Sequence, residues 1–273
     1  MALPRARALA WLLMLVAAPA AARELRVCAD PNNLPFSNAA GQGFENRIVA
    51  LVAAELNATV RYAWWAQRRG NVRETLNAGR CDLIPGVASS LDTLATTRPY
   101  YRSAYVAVVR RGPLEGMSSF DDPRLSKLRI GVQLIGDDGS NSPPAHAVAR
   151  RGLTANVRGF TVYGDYRDAA PQAAIVEAVA SRKIDVAFVW GPTAGYFAKR
   201  SPVALSLAPI APLADGPNLP MAFAISMGLR KSDSALRGEV DAALARRASD
   251  IAAILRSYGV PLIDRAADST SDD

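Results

Sequence analysis

CDLIPGVASSLDTLATTRPYYRSAYVAVVRR, residues 81–111, decides the fold. Residues 83–87 form a short apolar run closed by Pro85-Gly86, residues 89–97 are polar, and residues 104–109 are apolar again before two arginines. That is one strand, one polar loop and a second strand, with no room for a further element. A strand that ends at a cleft and a chain that then leaves its domain has this grammar. Arg98, Tyr100, Tyr101 and Arg102 stand at the crossing, where a two-lobed protein places ligand-facing groups.

Upstream, residues 25–29 read as a strand and DPNNLPF, residues 30–36, as a proline-broken loop leaving the carboxyl end of a sheet. Asp30, Asn32, Asn33 and Phe36 therefore fall on the edge where open α/β sheets bind ligands. Residues 45–57 carry Ile48, Val49, Leu51, Val52 and Leu56 at helical spacing, residues 59–64 suit a strand, and residues 73–78 suit a helix stopped by Gly79. Strand, helix, strand, helix, strand is the unit of a doubly wound parallel sheet.

Downstream the grammar restarts. Strands are expected at 129–132, 160–163 and 185–189, with helices at 145–151, 171–181 and 195–200. Residues 221–227 cross back, and 232–257 read as one long helical region. The expected architecture is α/β with two lobes: residues 23–110 and 220–263 in the first, 111–219 in the second. Hinge crossings are expected at 105–110 and 221–227. Residues 264–273 are polar and acidic and read as a disordered tail.

Arg5 and Arg7, the apolar run 8–18 and the small residues Ala20-Ala21-Ala22 match a secretory signal peptide cleaved after Ala22, which implies a periplasmic protein. Removing Arg5 and Arg7 from the 32 basic residues leaves 30 against 25 acidic ones, a net charge of +5. The excess is scattered, with no basic helix, which argues against nucleic-acid binding. Cys28 and Cys81 are the only two cysteines. An even count in an oxidising compartment favours a disulfide, and two small buried side chains are the alternative.

VCADPNNLPFS, GFENRIVALVAAEL, TLNAGRCDLIPGV and RPYY with its hinge strand resemble the type II periplasmic solute-binding proteins, over essentially the whole mature chain. RYAWWAQRRG, LATTRPYYRSAYV, GVQLIGDDGSNSPPAHA, FTVYGDY and VWGPTAGYFA are similar to one branch, the J proteins encoded beside quinoprotein methanol dehydrogenases. The resemblance implies a periplasmic accessory that binds a pyrroloquinoline-quinone (PQQ) methanol dehydrogenase, and its cytochrome c, without a cofactor of its own.

Amino-acid-binding members of the superfamily clamp the ligand carboxylate with an arginine shortly before the Pro-Tyr of the hinge. Here residues 90–97 contain none, and Arg98 is the nearest substitute. Those members also hold the ligand ammonium with an aspartate where this chain reads Trp190-Gly191-Pro192. Each charge-assisted contact contributes about 1.5–3 kcal/mol. Losing both costs roughly two to four orders of magnitude in affinity, so a standard amino acid is a poor candidate ligand. Trp64, Trp65, Arg68, Arg69, Gln133, Tyr166 and Trp190 complete the residues expected to face the cleft or a partner, Trp and Arg being common interface anchors.

The 131–144 loop lacks the phosphate-loop spacing, and Asp137 and Asp138 read as a solvated loop in preference to a cation site. His146 is the single histidine, so no His–Cys zinc set can be assembled, and a Cys–His nucleophile would need two lobes to meet. Two alternatives to the accessory remain: a transport receptor for a small solute other than a standard amino acid, and a dehydratase-like enzyme on the same fold.

Overall fold

The computed structural model describes residues 23–68, 70–135, 141–162 and 166–264. The expected signal peptide, Arg69, Asp137, Asp138 and the tail beyond residue 264 lie outside them. The first lobe opens with β1 (Arg23–Ala29), the short pair β2 (Asn32–Asn33) and β3 (Ser37–Asn38), α1 (Phe44–Glu55), β4 (Ala58–Trp64), the single turn α2 (Asn71–Glu74), β5 (Leu83–Ala88) and β6 (Ala95–Thr96). The long strand β7 (Tyr101–Arg110) leads to β8 (Ile130–Leu134), α3 (Pro143–Arg150), β9 (Val157–Thr161), α4 (Ala174–Ala180), β10 (Val186–Trp190), α5 (Gly191–Ala198) and β11 (Leu205–Pro209). The chain returns through β12 (Ala222–Leu229) and ends with α6 (Ser234–Arg246) and α7 (Ala248–Ser257).

Strand β7 joins the two halves. Its residues Tyr101 to Ala104 pair antiparallel with β12, and from Tyr105 onward it pairs with β10 and β11. The first half-sheet therefore runs β4-β1-β5-β12-β7, and the second runs β7-β10-β8-β9 with β11 on the other side of β7. The β1–β4, β1–β5, β8–β10 and β8–β9 pairs are parallel, as the helical crossovers require. Alternation along β7 divides its side chains between two cores: Tyr105, Ala107 and Val109 pack with Phe188, Ile130 and Met117, while Val106 and Val108 pack with α4 and Ala194. A strand buried on both faces reads as a continuous apolar run, and YVAVV is one.

Both lobes use one device to start a strand. Asp82, just before β5, receives the backbone N–H, Nε and Nη2 of Arg26 on the neighbouring β1. Asp185, just before β10, receives the same three groups of Arg129, which precedes the neighbouring β8. Helix α1 begins with Phe44, Ile48 and Val52 fully buried, and the Asn46 side chain accepts the Gly43 N–H at 3.0 Å, which satisfies an end donor of the helix.

The structure corrects several expectations. The polar loop does contain an element, since β6 adds to the edge of β12. The expected 73–78 helix is a single turn ending at Glu74, because Leu76 drops into the core beside the cysteines and Gly79 turns with φ +70°. Strand 205–209 was not expected. The long terminal region breaks at Arg247, which lets Arg246 and Arg247 both reach Glu55 on α1. The partner exchange in β7 falls at Ala104–Tyr105, so residues 105–110 belong wholly to the second half-sheet. The Pro85-Gly86 pair does not close β5; it forms a bulge opposite Met227, where proline's missing N–H is tolerated.

Of the two alternatives for the cysteines, the structure has the bridge. Cys28 and Cys81 are joined with a Cα–Cα distance of 5.5 Å, packed against Leu76, Ile84 and Leu94.

Helix α5 ties the second lobe to the chain's end. A Cβ at Gly195 would sit 1.9 Å from the Gly259 carbonyl oxygen, and Tyr196 stacks on Tyr258. Gly195→Ala is expected to lower stability by about 3 kcal/mol, the upper end for overpacking, because backbone must move to admit the methyl. Calorimetric unfolding measures this; a melting temperature unchanged within about 2 °C would show that the seam yields.

Candidate functional site

The carboxyl ends of β1, β5, β8, β9 and β10 converge on a cavity of about 420 Å³ between the lobes. The first lobe contributes Asp30 and Asn33 from the turn after β1, Phe36, Glu45 from the first turn of α1, Gln67, the β5 backbone at Gly86, and Tyr101. The second contributes Gln133 and Ile135 from the end of β8, Val162, Gln172, Trp190 and Thr193. Tyr105, Phe223 and Ile225 form the floor from β7 and β12. Trp190 and Tyr105 are 5.3 Å apart by ring centroids and Trp190 and Phe223 5.9 Å, so three strands supply one aromatic cluster under the cleft.

Polar contacts cross the cleft. Asn32 Nδ2 donates to the Asp168 carbonyl at 2.7 Å, Gln172 Nε2 donates to Asn33 Oδ1 at 2.7 Å, and the Tyr166 hydroxyl donates to Asp30 Oδ1 at 3.3 Å. Asp30 also accepts the backbone N–H groups of Asn32 and Gln67 at 2.8 and 2.7 Å. Asn33 Nδ2 donates to Gln67 Oε1, and Gln133 Oε1 accepts the Trp190 N–H. These bonds hold the two walls in one arrangement, and no lysine, arginine or histidine lines the cavity among the described residues.

Six of the sequence-picked residues line the cavity: Asp30, Asn33, Phe36, Tyr101, Gln133 and Trp190. Asn32 and Tyr166 sit at its rim as interlobe donors. Five others lie elsewhere. Arg98 is exposed on the outside of the first lobe, where its backbone N–H donates to Asp241 on α6 at 2.7 Å, so it cannot replace the missing clamp. Tyr100 turns inward and donates to the Pro85 carbonyl, which leaves Tyr101 as the cleft-facing member of the pair. Trp64 stacks on Tyr62 at 4.4 Å on the edge strand β4, and Trp65 lies under the Arg80 guanidinium at 5.1 Å. Arg68 is exposed beyond the rim, close enough to Tyr166 for its charge to act on that hydroxyl.

Sequence reasoning missed Glu45, Gln67, Tyr105, Gln172 and Phe223. Tyr105 and Phe223 were accessible through strand alternation, since residues 101 and 105, and 223 and 225, share faces. Glu45 carried no signal, because an acidic residue in a helix's first turn ordinarily favours the helix dipole in water. Here it is only 6% exposed, and burial pushes its carboxyl up to about 8. Burial likewise raises Tyr101 and Tyr105, so both rings present neutral hydroxyls.

His146 is exposed on α3, both cysteines are oxidised, and no group of three or more potential metal ligands occurs among the described residues. No helix among them is long and apolar enough to cross a membrane.

Two half-sheets joined by β7 and β12, with a cavity at the strand ends between them, define a periplasmic-binding-protein architecture of the two-lobed type II kind. The chain belongs to the bacterial extracellular solute-binding proteins, family 3, whose sequence profile matches residues 25–261. It is 32% identical over 246 residues to "Protein MoxJ" of Methylorubrum extorquens, covering 88% of this chain and 81% of that protein. The crystal structure of periplasmic binding protein XoxJ from Methylobacterium extorquens AM1 is similar with a TM-score of 0.71 and 37% identity, over 88% of this chain and all of that one. That of MxaJ from Methlophaga aminisulfidivorans MPT is similar with a TM-score of 0.73 and 25% identity, again over 88% and 100%.

Proposed function

We propose that the protein is a non-catalytic periplasmic accessory of a PQQ-dependent methanol dehydrogenase, binding the enzyme or its cytochrome c and helping it mature. The observation that carries this reading is the cleft's lack of any basic side chain among the described residues. A solute-binding fold that receives amino acids must answer a carboxylate, and here the lining offers two acidic groups instead. The similarity to MoxJ, XoxJ and MxaJ supports the dehydrogenase connection. Trp65 and Arg68, which the cleft does not use, are the first residues to test at a partner surface.

A transport receptor for a small solute is the second reading, favoured by the cavity itself. Affinity capture of the tagged protein from the periplasm of methanol-grown cells separates the two. Recovery of the dehydrogenase, weakened by Trp65→Ala, is expected. Recovery of a stoichiometric solute without dehydrogenase, together with full holo-dehydrogenase activity in a strain lacking this gene, would overturn the accessory reading.

A further inference from the structure

We infer that the cleft selects a small organic cation, an amine or quaternary ammonium ion with an apolar body and no carboxylate. This goes beyond the dehydrogenase reading and does not depend on it.

Two acidic side chains from different elements meet in the cleft. Asp30 is 4% and Glu45 6% exposed, and both line the main cavity and a recess of about 10 Å³ beside it. Asp30 is answered by neutral donors, the Tyr166 hydroxyl and two backbone N–H groups. The Glu45 carboxyl makes no hydrogen bond or ion pair among the described residues. Gly86 exists in β5 to admit it: a Cβ there would lie 2.0 Å from Glu45 Oε1. Across the cleft, Gln172 is 7% exposed and its Oε1 is buried without a partner. Gln172 Oε1 is thus an acceptor without a donor, and Glu45 becomes a second negative charge in the cleft once it ionises. A buried polar group in that condition is costly unless something completes it.

The missing group must be a donor, and positive charge suits it. No basic side chain lines the cavity among the described residues; residues 136–140 and 163–165 contain no Lys, Arg or His by sequence, and Arg69, two residues beyond Gln67, lies outside the described residues. An anionic ligand, or the carboxylate of an amino acid, would meet Asp30 and Glu45 with no basic lining side chain among the described residues to offset them. The lining also includes Phe36, Tyr105, Trp190 and Phe223, aromatic rings of the kind that attract cations with dispersed charge and bury an apolar body. No group of three or more His, Cys, Asp or Glu that could hold a metal ion occurs among the described residues.

Calorimetric titration at pH 9 with phenethylammonium, tetraethylammonium, 2-phenylethanol and 3-phenylpropionate tests the inference without any variant. At least one ammonium ion is expected to bind about tenfold or more tightly than the alcohol and the carboxylate. Glu45→Gln and Asp30→Asn, each checked for a cooperative unfolding transition, are expected to remove that preference while leaving the alcohol unchanged. The titratable groups that feel Glu45 are Tyr62, Tyr100 and Tyr101, and Asp30 lines the same recess. Repeating the titration at pH 6, where Glu45 holds its proton, is expected to weaken ammonium binding severalfold in the wild type and much less in Glu45→Gln. Equal or tighter binding of the alcohol or the carboxylate, or binding of none of the four, overturns the inference. Capture of dehydrogenase from cells is a separate readout, so either proposal can fail alone.

Discussion

The Cys28→Ala/Cys81→Ala double variant is expected to lose about 4 kcal/mol of stability, the loop-closure contribution of a bridge between residues 53 apart in sequence. For a chain of this size that lowers the melting temperature by roughly 8–16 °C. Alanine is the appropriate replacement, because the site is apolar and a serine hydroxyl would be buried without a partner beside Leu76, Ile84 and Leu94. The loss should be concentrated in the first lobe. The bridge fastens the end of β1 to the entrance of β5, yet only Val27 and Leu83 pair between those strands in the ladder. Hydrogen exchange should therefore show β1, β4 and β5 opening more readily in the variant, with β8 and β10 little changed. Both cysteines are buried, so external thiol should reduce the native protein slowly and the unfolded protein fast. A double variant within about 1 kcal/mol of the wild type would show that ladder and core alone set the lobe's stability.

What was legible in the sequence follows from how many physical demands a residue answers. Strands β1, β5, β7 and β10 were readable because each is buried on at least one face and must be apolar at alternate positions or throughout. Short β6 was not, since two residues at a sheet edge carry no period. The exchange of partners within β7 has no mark in composition, because Ala104 and Tyr105 on either side of it are both buried and the apolar run continues to Val109; backbone pairing marks the crossing. The cleft divided the same way. Asp30, Asn33, Phe36 and Trp190 were found by position at strand ends, a rule of topology. Arg98 was misassigned because the rule says where the backbone stands, whereas a long side chain beside Pro99 can take either side of the sheet. Glu45 and Gln172 lie on helical segments whose first turns point into the cleft, and only the three-dimensional packing of α1 and of the turn before α4 reveals it. Whether two cysteines bridge is a distance, and distance across 53 residues is tertiary.

Glu45 should make the protein less stable as pH rises. Its carboxyl titrates near 8 when folded because burial disfavours the charged form, whereas in the unfolded chain it titrates at the ordinary value near 4.5. Between those values the folded state holds a proton that the unfolded state has released. Stability therefore falls with increasing pH across this window and levels off above about 8, a loss of about 4 kcal/mol from this group alone between pH 5 and pH 9. Glu45→Gln keeps the shape and removes the charge, so its denaturant-unfolding free energy should lack this fall and exceed that of the wild type by about that amount at pH 9. At pH 5 the gap should shrink to about 1 kcal/mol, since the folded wild type is then neutral at this position and only its unfolded chain is ionised. A cation in the cleft changes the sign of the argument: phenethylammonium at pH 9 should recover part of the lost stability in the wild type and release a proton when it binds near neutral pH. Parallel pH–stability curves for wild type and Glu45→Gln would mean that water entering the cavity already solvates the carboxylate. The buried acid at Glu45 would then no longer account for the cleft's preference.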